Sequence, residues 1–172
     1  PGPNTMGHLQ PWVASTAAAQ HGRGDFLTVL EVTGPAPVPE PLSAVIMNPG
    51  TGGVAQTAAI AGGSRLVVSP GIDSANDGCL PNPYAANSLT GAIVVIRRGT
   101  CPFAEKVNNA AAAGAVAVVI ANNAAGGIIP SVPATTIPAF GILQADGNAL
   151  RNFAAANPGA TTAGIPFPAI IM

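Results

Sequence analysis

Charge is what this sequence has least of. Six Lys and Arg and seven Asp and Glu make up 8% of 172 residues, with a formal net charge of -1 at pH 7. A chain so nearly neutral has no basic field for nucleic acid and no acidic tail. Aromatic residues are scarce too, at five Phe, one Trp and one Tyr against 34 Ala, 21 Gly and 18 Pro. Few large core anchors and many turn residues exclude a long helical bundle. The longest apolar stretch, Ala110 to Ala121, is far short of a membrane span and carries Gly114 within it. Histidine is nearly absent. His8 and His21 stand far apart in an Ala/Pro-rich segment without the accompanying Glu of a zinc protease, and read as solvated loop residues. No G-x-S-x-G elbow and no Ser/His/Asp set can be assembled, so catalysis within this chain and a bound cofactor are not expected. Pro1 stands where Met would, with no cationic leader or apolar signal core behind it, which predicts a piece processed or excised from something longer.

What remains is enough to fold. A hydrophobic fraction of 48% with so little charge argues against disorder, and the length fits one core. Residues 1–41 are expected to form an N-terminal extension, with one strand at Phe26 to Val32 and a stiff connector of alternating prolines from Gly34 to Pro41. Residues 42–172 are expected to form the domain proper. Leu42 to Met47, Arg65 to Ser69 and Ala92 to Ile96 read as strands. Pro102 can open a helix over Phe103 to Ala113, which Gly114 stops, and Ala115 to Ala121 follows as a buried strand. A Gly/Pro loop from Asn122 to Thr136 precedes a strand at Ile137 to Ile142. A helix over Gln144 to Ala156 and a Pro-interrupted strand from Ile165 to Met172 close the chain.

Two motifs need weighing. Gly50-Thr51-Gly52-Gly53-Val54-Ala55 matches the G-x-G-x-x-A dinucleotide fingerprint, with Asp73 near the expected distance. Glycine motifs match by chance in such a composition, and the expected reading is a turn between strands, with a nucleotide-binding fragment of an enzyme as the competing one. Asp73 and Asp77 lie in a turn-rich stretch that could ligate calcium through oxygens, although Asp and Asn explain such turns by bonding their own backbone.

Cys79 and Cys101 allow one pairing. The bridge would stabilise by about 3 kcal/mol on the loop-entropy model and place the chain outside the cytosol. Two buried free thiols are the alternative.

The run Ala92 to Val107, containing Arg97-Arg98-Gly99-Thr100-Cys101-Pro102-Phe103-Ala104-Glu105-Lys106, together with Ala112 to Ile120, resembles the core of a protease-associated (PA) domain. Ile137-Pro138-Ala139-Phe140-Gly141-Ile142 and Gln144-Ala145-Asp146-Gly147 resemble that family's closing strand and helix. The likeness covers roughly Leu42 to Phe153. That family often has serine where Leu143 stands, so the start of the last helix is expected to rely on Asp146 or a neighbouring backbone group.

The resemblance implies a mixed α/β (α+β) domain with a twisted, barrel-like β core and two or more flanking helices. It implies a non-catalytic interaction module of a secreted protease, subtilisin-like or fungalysin-like, that meets a peptide or protein substrate or covers the catalytic domain. No nucleic acid or membrane partner is expected. A stand-alone secreted peptide-binding protein is the alternative. In the sorting-receptor branch of the family, peptide cargo meets the loop bearing the arginine that corresponds to Arg98. Peptide contacts are therefore expected at Arg97, Arg98, Asn122 and Asn123, with the Asn122 to Thr136 loop as an adjacent wall.

Overall fold

The computed structural model describes residues 26–167 and 170–171. His8 and His21 lie outside the described residues. In chain order the elements are β1 (Phe26–Gly34), α1 (Glu40–Ser43), β2 (Val45–Pro49), β3 (Ile60–Val68), β4 (Ile93–Arg97), α2 (Phe103–Ala112), β5 (Ala117–Ala121), β6 (Ala139–Ile142), α3 (Gln144–Ala156), β7 (Thr162–Ile165) and β8 (Ile170–Ile171).

Seven strands close on themselves in the order β1-β2-β6-β5-β4-β3-β7, and β8 pairs with the start of β1. The four strands β3 to β6 run parallel, so their carboxyl ends share one side of the barrel. Parallel strands buried on both faces read as unbroken apolar runs, which is why Ile93-Val94-Val95-Ile96 and Ala117-Val118-Val119-Ile120 show no alternation. Within each run the faces still divide. Ile93, Val95, Ala117 and Val119 pack with Leu30, Phe140, Leu150 and Phe153 in one cluster. Val94, Ile96, Val118 and Ile120 pack with Val107 and Ala110 of α2 in the other. Alanine and valine suffice as filling because each strand lies between two covered faces.

Helix α2 follows the sequence closely. Pro102 sits at its N-cap position and Ala113 at its C-cap. Gly114 then takes φ +97°, the Gly114 N–H reaches Ala111 O at 2.9 Å, and the Ala115 N–H reaches Ala110 O at 3.1 Å. That is a Schellman stop, whose left-handed residue favours glycine.

The sequence reading misplaces some boundaries. Within the N-terminal extension expected over residues 1–41, the described part includes β1, which pairs with β2, β7 and β8 and is a stave of the barrel. The Pro-rich stretch is a corner into the one-turn α1 rather than a linker, since Pro at N1/N2 suits a helix start. The last strand is two, β7 and β8, parted at Pro166 and Phe167, because Pro cannot donate to a ladder. The glycine fingerprint is followed by no helix. Thr51 bridges to Ser131 and the chain runs on into β3, so no helix N-terminus is available for a pyrophosphate and the nucleotide reading fails.

A Cβ on Gly114 would lie 2.9 Å from Thr90 Cα, backbone that cannot step aside. With φ also positive, Gly114→Ala should cost about 2 kcal/mol, read as a lower denaturation midpoint at unchanged m-value.

Candidate functional site

Between β3 and β4 the chain makes a crossover with no helix, and a buried carboxylate organises it. Asp77, 2% exposed, accepts from the Ser69 hydroxyl through Oδ1 and from the Arg97 N–H through Oδ2 at 2.8 Å. Tyr84 and Ser69 share a hydrogen bond at 2.9 Å. Lys106 of α2, fully buried, donates its ammonium to the Asp77 carbonyl and lies 3.5 Å from Cys79 Sγ. Burial pushes the Asp77 carboxyl up, against the pull of Ser69, the Arg97 N–H and Lys106. Burial likewise lowers the Lys106 ammonium, which the Asp77 charge opposes. Cys79 and Cys101 form the disulfide, with Cα atoms 5.8 Å apart, fastening the crossover beside the start of α2. Gly99 lies so close under the crossover that an added Cβ would sit 1.8 Å from Ala75 O.

This anchoring sets Arg97 and Arg98 at the carboxyl end of β4. The Arg97 guanidinium donates to Arg98 O at 3.3 Å, and that of Arg98 donates to Asn122 Oδ1 at 3.2 Å. Asn122 in turn donates to Gly126 O at 2.9 Å and accepts the Asn123 N–H at 2.9 Å. The Gln144 amide donates to Asn123 O at 3.2 Å. The four residues expected at the site are therefore joined in one network across the ends of β4 and β5. Beside them lies a polar cleft of about 210 Å3 lined by Asp73, Arg97, Asn122, Gln144, Gly147 and Asn148 among others. Gly147 admits the start of α3 here, since a Cβ on it would lie 2.5 Å from that of Ala121. Leu143 stands at the N-cap without a side-chain cap, and the Asp146 carboxylate takes a backbone hydrogen bond from Leu143 instead, while burial pushes the Asp146 carboxyl up. That is one half of a capping box.

The calcium pair is engaged otherwise. Asp73 forms an ion pair with Arg151, and both Asp77 oxygens take protein donors, so the two carboxylates serve separate partners. Gln144 and Asn148 are lining residues the sequence reading missed. Their signal was an isolated polar residue on a helix face turned toward a strand end. The Ser69–Asp77–Tyr84–Lys106 cluster was missed as well, because nothing in spacing links residues so far apart.

Lys106→Ala leaves a cavity and an unpartnered Asp77 carbonyl, and should cost about 3 kcal/mol, or on the order of 10 °C in melting temperature. Lys106→Met, which keeps the volume, should recover part of the loss. Tyr84, the single tyrosine, is pushed up to about 12, mainly by burial and further by the Asp77 charge, while the Ser69 hydrogen bond pulls it down. The unfolded chain releases this proton near 10 and the folded chain holds it to about 12. Stability contributed by Tyr84 is then intact below pH ~10 and is lost as pH rises through that interval. Phenolate absorbance should rise near pH 12 in the folded protein. A midpoint near 10 in folded protein would show Tyr84 open to solvent.

The PA domain family model matches residues 49–150. The probable lipoprotein aminopeptidase LpqL of Mycobacterium tuberculosis is 40% identical over 90 residues, covering 50% of this chain and 18% of that protein. The minor extracellular protease Vpr of Bacillus subtilis is 34% identical over 84 residues, covering 49% of this chain and 10% of that one. Among solved structures, the aminopeptidase from Aneurinibacillus sp. strain AM-1 superposes with a TM-score of 0.56 at 26% identity, over 81% of this chain and 30% of that chain. The chain thus spans less than a fifth of the curated relatives named here.

Proposed function

Because the chain belongs to the PA domain family, we propose that it is a non-catalytic interaction module of a secreted peptidase, docking an extended peptide or protein substrate at the cleft beside Arg97, Arg98, Asn122 and Asn123. The observation that carries this reading is the polar cleft lined by Arg97, Asn122 and Gln144 where the parallel strands end, with Arg98 bonded to Asn122 beside it. Ligands of parallel sheets sit outside such carboxyl ends, and amide and guanidinium groups suit the carbonyls of an extended main chain. An aminopeptidase is the favoured parent, in keeping with LpqL and the Aneurinibacillus enzyme. Secretion is supported by the disulfide, since such bonds persist in oxidising compartments. Among the described residues, no helix is long and apolar enough to cross a membrane.

The test is a titration of isotope-labelled protein with acetyl-pentaalanine amide, followed by amide NMR shifts. Shifts should gather at Arg97, Asn122, Asn123, Gln144 and Asn148. Arg98→Ala should weaken binding about tenfold, equivalent to ~1.4 kcal/mol. Wild-type affinity in a folded Arg98→Ala protein, or shifts elsewhere, would make the domain a spacer or active-site cover instead.

A further inference from the structure

A second cavity lies along the same helix. It has a volume of about 500 Å3 and is bounded by β3, by the Pro70 to Asp73 segment and by the later turns of α3. Gln144, Gly147 and Asn148 line the first cleft, and Arg151, Ala154 and Ala155 line the second. These six positions fall at intervals of three and four, so one face of α3 floors both spaces. Ile72 and Asp73 border both, and the Asp73–Arg151 ion pair stands between them. A helix of 13 residues spans about 20 Å, the reach of about six extended residues.

The chemistry of the second cavity differs from that of the first. Arg65 and Arg151 both line it against one carboxylate, Asp73, which leaves an excess of one positive charge. Arg65 spends one donor on Ser88 O at 2.6 Å, and Arg151 spends one on Asp73, so each guanidinium keeps further donors. The Arg151 and Asp73 side chains are 34% and 76% exposed, and an ion pair so open to water is easily exchanged for another. Thr161, only 2% exposed, also lines the cavity. Its hydroxyl is the one buried side-chain polar atom without a hydrogen-bond partner among the described residues. That oxygen is closed to solvent, so Thr161 borders the cavity without offering its hydroxyl to an occupant. Leu66, Val68, Ile72 and Ala154 supply apolar wall around these polar groups.

We infer that this second cavity is a subsite for the C-terminal residue of a bound peptide, its carboxylate taken by Arg151 and Arg65 and its short apolar side chain packed beside β3. A carboxylate entering there takes Arg151 from Asp73, whose pairing is open to water. A free C-terminus fits better than an aspartate or glutamate side chain because the wall next to the arginines is apolar. The inference deepens the peptide-docking reading by naming the end of the peptide that the domain selects.

The probes are acetyl-Ala-Ala-Leu with a free carboxylate and the same peptide as its C-terminal amide, each titrated into the labelled chain by NMR. The carboxylate form should bind at least tenfold more tightly, with shifts at Leu66 to Ile72, Arg151 to Ala155 and Thr161. Arg151→Gln should bring the two forms to equal affinity without changing the melting temperature appreciably. Asp73→Asn, which releases Arg151, should tighten the carboxylate form about threefold and leave the amide unchanged. Equal binding of both forms to the wild type overturns the subsite, as do shifts confined to Arg97, Asn122 and Gln144 or an absence of shifts. The pentaalanine amide result is independent of all of these, so failure of the first cleft and failure of the second are told apart.

Discussion

A single carboxylate holds together the side of the barrel where the parallel strands end. Asp77 ties the β3–β4 crossover to the end of β4 through the Arg97 N–H and back to Ser69, and its own carbonyl receives Lys106 from α2. Parallel strands are usually joined by a helix that supplies its own backbone hydrogen bonds. Here the crossover is an irregular loop, and its buried polar groups must be met by side chains instead. The disulfide adds a covalent tie at the same junction. Arg97 and Arg98 leave the sheet where Asp77 fixes the backbone, so the geometry of the candidate cleft is inherited from a residue that takes no part in it.

Local pattern was legible wherever the local and tertiary demands agreed. The limits of α2 follow from Pro102 and Gly114, and α3 spans the segment read from the sequence, Gln144 to Ala156. The two central strands announced themselves by apolar runs that only double burial explains. What failed were readings that depend on a partner far away in sequence. Alternating prolines look like a linker until β1 is seen paired with β2 and β7, and nothing local reveals that closure. The Gly50 to Ala55 turn likewise mimics a phosphate loop, and its packing against the 130–135 segment is what identifies it as a turn.

The candidate site was legible in part for the same reason. Arg97 and Arg98 were conspicuous because charge is rare, and Asn122 and Asn123 followed from a loop beginning where a strand ends. The network joining them could not be read from spacing, since it depends on the parallel alignment of β4 with β5. Gln144 and Asn148 stand out only once α3 is known to lie with that face toward the strand ends. Polar residues of a nearly neutral chain thus carry more positional information than usual, but only after the topology is known.

Barrel closure has one more consequence, for how the protein behaves among its own copies. Most β proteins keep neighbouring molecules apart with lysines and other charges along their outer strands, and this sequence has very few to spend. Pairing β1 with β2 removes the two long open edges that a seven-strand sheet would otherwise present, leaving the two-residue β8 at the margin of β1. An apolar, weakly charged chain rich in valine and isoleucine would be prone to strand-to-strand stacking if that seam opened. Colloidal behaviour in this molecule therefore depends on topology more than on charge.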